Sequence, residues 1–164
     1  MHDGGFLFDA NVLSNFARIG RLDLLPEVVS KIFITHEVLE ELRKGCEKTP
    51  ILQDVFEYRN SGFVEIVVSN NLETLLFMAE LRSEGRLGIG EISLLGIAKE
   101  LDYIFVSDDK LAKKQALHLG IKVLDEDNHL DTVVILKQLL ENGVLEDADY
   151  EQIRVELGQN RFVF

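Results

Sequence analysis

Short apolar stretches rich in β-branched and aromatic residues recur along the chain, and between them apolar positions return every three or four residues. The first kind predicts buried strands at 6–8, 32–34, 64–67, 103–106 and 121–124. The second predicts helices at 11–19, 36–44, 51–60, 72–84, 90–101, 110–119, 131–142 and 147–157. Such alternation is the order of an α/β fold, a mainly parallel sheet with crossover helices. Gly120 falls where a helix must stop before the last strand, a position suited to a residue that tolerates positive φ. No repeat, low-complexity stretch or Pro/Ser-rich linker divides the chain, whose only prolines are Pro26 and Pro50. A single domain over 1–164 is therefore expected, with 128–164 as a C-terminal helical extension.

Acidic residues appear where a core should not want them. In an open parallel sheet, ligands collect beyond the carboxyl ends of the strands. Asp9 follows the first strand, and Asp108 and Asp109 follow the fourth. Each Asp also suits a helix cap, where a short carboxylate accepts orphan N–H groups. Glu91 opens the segment Glu91-Ile92-Ser93-Leu94-Leu95-Gly96-Ile97-Ala98, a helix apolar nearly all round and hence largely buried. Leu94, Leu95 and Ala98 share its side. A buried anion there needs a cation or hydrogen bonds, because the helix dipole offsets only about 1 kcal/mol of its desolvation. Glu91 is thus either a capping glutamate at the helix rim or a metal ligand. In the preceding acidic helix, Val38, Leu39, Leu42 and Cys46 form an apolar stripe. Glu41 lies nearer its edge than Glu37 and Glu40, which read as a solvated face.

Clustered carboxylates mean a hard cation, Mg²⁺ or Mn²⁺. This changes the meaning of the charge balance, 17 basic against 29 acidic residues for a net −12. A nucleic-acid binder usually shows the opposite sign. Metal ions at the acids remove the objection, because they neutralise the site where a phosphate would be repelled. The lone Cys46 fits a reducing compartment. The apolar runs are too short for a membrane span, and the N-terminus shows no secretory signal. A cytoplasmic protein with no membrane partner is expected.

The motifs together resemble those of PIN domains. Phe8-Asp9-Ala10-Asn11-Val12-Leu13 is similar to the opening Asp-x-Asn-x-Leu motif, and Val38-Leu39-Glu40-Glu41-Leu42 to the second, with Glu41 as the matching acid. Gly88-Ile89-Gly90-Glu91-Ile92-Ser93-Leu94 resembles the third, and Val106-Ser107-Asp108-Asp109-Lys110-Leu111 the last. The four stand in the family's order and span nearly the whole chain. The tail resembles that of a prokaryotic subgroup of PIN-like proteins. The resemblance implies a three-layer α/β/α sandwich and metal-dependent cleavage of phosphodiester bonds, usually in single-stranded RNA. It also implies a role as the toxin of a toxin–antitoxin pair, with an antitoxin or a second copy of the chain as protein partners. Asp9, Glu41, Glu91, Asp108 and Asp109 are its catalytic acids; Asp9, Glu91, Asp108 and Asp109 are its Mg²⁺ or Mn²⁺ ligands. Which of Asp108 and Asp109 binds directly is left open by the presence of both. The alternative is a catalytically silent PIN-like binding module acting through a protein partner.

Other residues add less. Asn11 either orients Asp9 or caps the first helix, and Ser107 would support Asp108. The four histidines share no metal-ligand spacing, and His36 suits a helix cap. Asp125-Glu126-Asp127 reads as a solvated turn. Lys110, Lys113, Lys114, Arg82 and Arg86 either flank a phosphate path or solvate helix surfaces. Gly88-Ile89-Gly90 lacks the preceding strand and third glycine of a dinucleotide fingerprint. Receiver and aspartyl-phosphatase patterns also fail: no middle strand ends in Asp, and Asn11 stands where the second phosphatase Asp would be.

Overall fold

The computed structural model describes residues 5–123 and 131–160. In chain order they form β1 (Phe6–Phe8), α1 (Ala10–Arg18), a 3₁₀ turn (Leu22–Glu27), β2 (Ile32–Ile34) and α2 (His36–Cys46). A second 3₁₀ turn (Pro50–Gln53), α3 (Asp54–Asn60), β3 (Val64–Ile66), α4 (Leu72–Glu84) and α5 (Ile89–Leu101) follow. The chain continues through β4 (Ile104–Val106), α6 (Lys110–His118), α7 (Thr132–Glu141) and α8 (Asp147–Gln159).

The four strands pair in parallel in the order β3-β2-β1-β4. Three of them, Phe-Leu-Phe, Ile-Phe-Ile and Ile-Phe-Val, are apolar throughout, as strands covered by helices on both faces must be. The result is an α/β/α sandwich whose strands β1, β2 and β4 carry the fully buried Leu7, Phe8, Ile32, Ile34 and Phe105. Helix α5 packs on β1, β4, α2 and α4, while α1 packs on α2, α3 and α7. Ile135, Leu136 and Leu139 of α7 belong to the same apolar core. No helix among the described residues is long and apolar enough to cross a membrane.

From β1 the chain adds β2 and β3 on one side, then returns through α4 and α5 to place β4 on the other. The sheet therefore has its topological switch between β1 and β4, where open α/β sheets form a crevice. In the register Phe8↔Val106, Asp9 and Ser107 leave adjacent strands side by side.

Two expectations change, and one element was not foreseen. Residues 51–60 split into a 3₁₀ turn and α3, a change of hydrogen-bond step to which apolar spacing is blind. The 3₁₀ turn Leu22–Glu27 is too short for a helical period. Residues 121–123 take no strand assignment, although the Phe105 N–H donates to the Lys122 carbonyl at 2.8 Å; Leu124 lies outside the described residues. Gly120 does have positive φ, at 72°.

Candidate metal centre

Asp9 is the residue at which β1 becomes α1. It occupies the N-cap position, yet its carboxylate caps nothing. Instead Oδ2 accepts from the Ser107 hydroxyl at 2.9 Å, across the switch. Asp9 is only 2% exposed. Burial pushes its pKa up to about 7; the Ser107 bond opposes this, and the charges of Glu91 and Glu41 add to it. No cation pairs with it among the described residues.

Glu91 fulfils the capping reading of its position. Its Oε2 accepts from the Gly88 N–H at 2.8 Å, tying down the entry to α5. It is also half-buried, and burial raises its pKa. The Gly88 bond lowers it, and the carboxylates of Asp109 and Glu41 raise it further. Glu41, on α2, leans against the backbone of α5: a Cβ on Gly90 would sit 2.8 Å from Glu41 Oε2. Gly90 is therefore the residue that lets the two helices present their acids to each other. A buried hydroxyl pair holds those helices in place, with Thr35 Oγ1 and Ser93 Oγ 2.7 Å apart. Thr35 caps α2 by accepting from the Val38 N–H, and Ser93 donates to the Gly90 carbonyl.

After β4, three consecutive side chains take three directions. Ser107 donates to Asp9 and accepts the Asp109 N–H at 3.0 Å. Asp109 caps α6 through the Ala112 N–H at 2.8 Å and lies close enough to raise the Glu91 pKa. Asp108 turns away, toward Thr132 and Asn15. Its pKa is raised by burial, with the Thr132 bonds acting in opposition.

The structure thus brings Asp9, Glu41, Glu91 and Asp109 together and separates Asp108 from them. A cleft of about 490 Å³ opens beside Asp9, Glu41 and Glu91, with Asn11, His36 and Lys44 on its walls. Among the described residues no three acidic, histidine or cysteine side chains converge closely enough to hold an ion as they stand. The donor chemistry nonetheless fits a hard divalent cation. All donors are carboxylate oxygens, and their mutual repulsion, visible at Asp9 and Glu91, is what such a cation discharges.

Supporting residues differ from the expected ones. Ser107 supports Asp9 rather than Asp108. Asn11 is exposed on the cleft wall and neither caps α1 nor bonds Asp9 among the described residues. Thr35, not His36, caps α2. Lys113 is not on a surface path but pairs with Asp131 at 2.7 Å, nearly buried. Glu37 and Glu40 line the cleft, and Glu40 pairs with Arg43. Asp125, Glu126 and Asp127 lie outside the described residues. Sequence reasoning missed Thr35, Ser93, Asn15 and Thr132. Thr35 had a signal, since it stands to β2 as Asp9 stands to β1.

No curated protein matches the chain. Among solved structures it is similar to PAE2754 from Pyrobaculum aerophilum, with a TM-score of 0.54, 17% identity, and coverage of 84% of this chain and 96% of that one. It is also similar to VapBC2 from Rickettsia felis, solved bound to a DNA fragment from its promoter. That match has a TM-score of 0.49, 20% identity, and coverage of 66% of this chain and 91% of that one. A family model described as PIN domain matches residues 6–160, nearly the full length, and the chain belongs to the PIN-domain family.

Proposed function

We propose that this protein is a divalent-metal-dependent nuclease that hydrolyses phosphodiester bonds of single-stranded RNA. The observation that carries the reading is Asp9: a buried carboxylate, raised to about 7, beside Glu91 and Glu41 at the switch of the sheet. PIN domains are generally nucleases, which agrees with it. Asp9, Glu91 and Asp109 are the residues to hold Mg²⁺ or Mn²⁺, with Glu41 facing them from α2. A cation there supplies Lewis acidity, drawing charge off a phosphodiester and easing the ionisation of water. Ser107 holds the Asp9 carboxylate at a fixed angle, and Gly88 holds one Glu91 oxygen. Lys44 on the cleft wall offers positive charge to a backbone phosphate, with the His36 side chain beside it. Turned on cellular RNA, the same chemistry makes a toxin, the role the motif resemblance implied.

The test is cleavage of an end-labelled single-stranded RNA in Mn²⁺ or Mg²⁺ and in chelator. Wild type should cut only with metal. Asp9→Asn and Glu91→Gln should each slow cutting by about 100-fold or more, as loss of a ligand exceeds loss of its supporters. Asp102→Asn, at the amino end of β4, should cut normally and guards against a contaminating nuclease. RNA bound but uncut under every condition would replace the nuclease with the binding module.

A further inference from the structure

The loop between β4 and α6 holds Ser107, Asp108 and Asp109, and each side chain is spoken for. Ser107 is fixed to Asp9, and Asp109 caps the helix that follows it. Asp108 does neither. Its Oδ1 accepts the Thr132 N–H at 2.8 Å, and its Oδ2 accepts the Thr132 hydroxyl at 2.6 Å and the Asn15 amide at 2.8 Å. Thr132 is fully buried, and Asn15 nearly so. Thr132 is the first residue of α7, so Asp108 takes an orphan helix N–H from an element 24 residues further on. One turn into α6, Lys113 pairs with Asp131, the N-cap of α7, at 2.7 Å. Two ties therefore join the start of α7 to the segment that carries Asp109.

We propose that Asp108 is a positioning residue and not a metal ligand: it docks the first turn of α7 onto the β4–α6 loop and so holds Asp109 toward Glu91. The proposal rests on the metal-site reading above and deepens it. Three donors already occupy the Asp108 carboxylate, and exchanging them for a cation would take the acceptor from the buried Thr132 N–H and hydroxyl and leave the Asn15 amide only its 3.4 Å bond to the Thr132 hydroxyl. A loop this short has little to fix its direction except its side chains. With Ser107 anchored to β1 and Asp108 to α7, the residue between them and α6 has one way to face. On this account α7 is part of the site without contributing a donor to it.

The experiment measures Mn²⁺ affinity, RNA cleavage and amide hydrogen exchange in the full chain. Thr132→Val removes one donor at nearly constant volume. It should weaken Mn²⁺ binding by about 10-fold, the lower range for losing a group that orients a ligand. Exchange should quicken at 107–112 as well as in the first turn of α7, and saturating Mn²⁺ should restore cleavage. Thr132→Ser should behave as wild type, while Asp109→Asn should fail at any Mn²⁺ concentration. If Thr132→Val does not fold, Asn15→Ala removes another donor and gives the same readings. Loss beyond rescue in Asp108→Asn, with Thr132→Val normal, would make Asp108 a ligand and overturn the proposal. Faster exchange with unchanged Mn²⁺ affinity would reduce the tie to a structural one and also overturn it. If wild type binds no Mn²⁺, the metal reading itself fails. The tie then stands or falls on exchange alone, and unchanged exchange at 107–112 in Thr132→Val refutes it.

Discussion

A carboxylate with Asp9's surroundings keeps its proton longer in the folded protein than in the unfolded chain. The unfolded value is near 3.8 and the folded one about 7. Stability supplied by that proton is complete below the unfolded value and is lost as pH rises through the folded one. Across that span the metal-free protein should lose about 4 kcal/mol, at 1.36 kcal/mol per pKa unit. In chelator, thermal melting should therefore fall from pH 5 to pH 8, and Asp9→Asn should flatten the fall. A wild-type profile already flat would mean that Asp9 is not the strained acid described. Glu41 is tested through its neighbour. Gly90→Ala puts a methyl where the Glu41 carboxylate now rests, and that flexible end can swing aside. Helix α5 gains up to about 1 kcal/mol in propensity. Melting should hold or rise while Mn²⁺ affinity falls; unchanged affinity would remove Glu41 from the site.

Elements were more legible than their ends. Strands β1, β2 and β4 announce themselves as wholly apolar triplets followed by Asp9, Thr35 and Ser107, and only a covered parallel sheet wants that pattern. The helical spacing placed α4 at its observed bounds and α5 within a residue of them. Direction was not legible. Period and spacing could name Asp108 and Asp109 as a pair, but their separation depends on Thr132 and Asn15, far away in sequence. Nor could spacing show that Gly96 of α5 is the contact point with α4. A Cβ there would run into the Met78 side chain. Gly96→Leu should overpack this seam and cost about 1–3 kcal/mol in urea unfolding. A loss under about 0.5 kcal/mol, the range of surface changes, would show that Met78 yields freely.

At the scale of the whole molecule, four segments far apart in the chain deliver acids to one edge of the sheet: the ends of β1 and β4, the middle of α2 and the start of α5. The net charge of −12, an obstacle to a nucleic-acid partner on its face, is consistent with such an edge once a cation sits in it. The family's motif order pointed to acids that the fold brings near one another, at the ends of β1 and β4, in the middle of α2 and in the first turn of α5, but not to the separation of Asp108 from them. It did not reveal Thr35, Ser93 or the α7 tie, since a buried hydroxyl leaves no period in the sequence. The metal-site reading of this edge is open to test by anomalous diffraction from crystals soaked in Mn²⁺. It predicts a manganese peak in contact with the carboxylates of Asp9, Glu91 and Asp109, and none on Asp108. Peaks confined to other surfaces, with Asp9 left protonated and bonded only to Ser107, would contradict it.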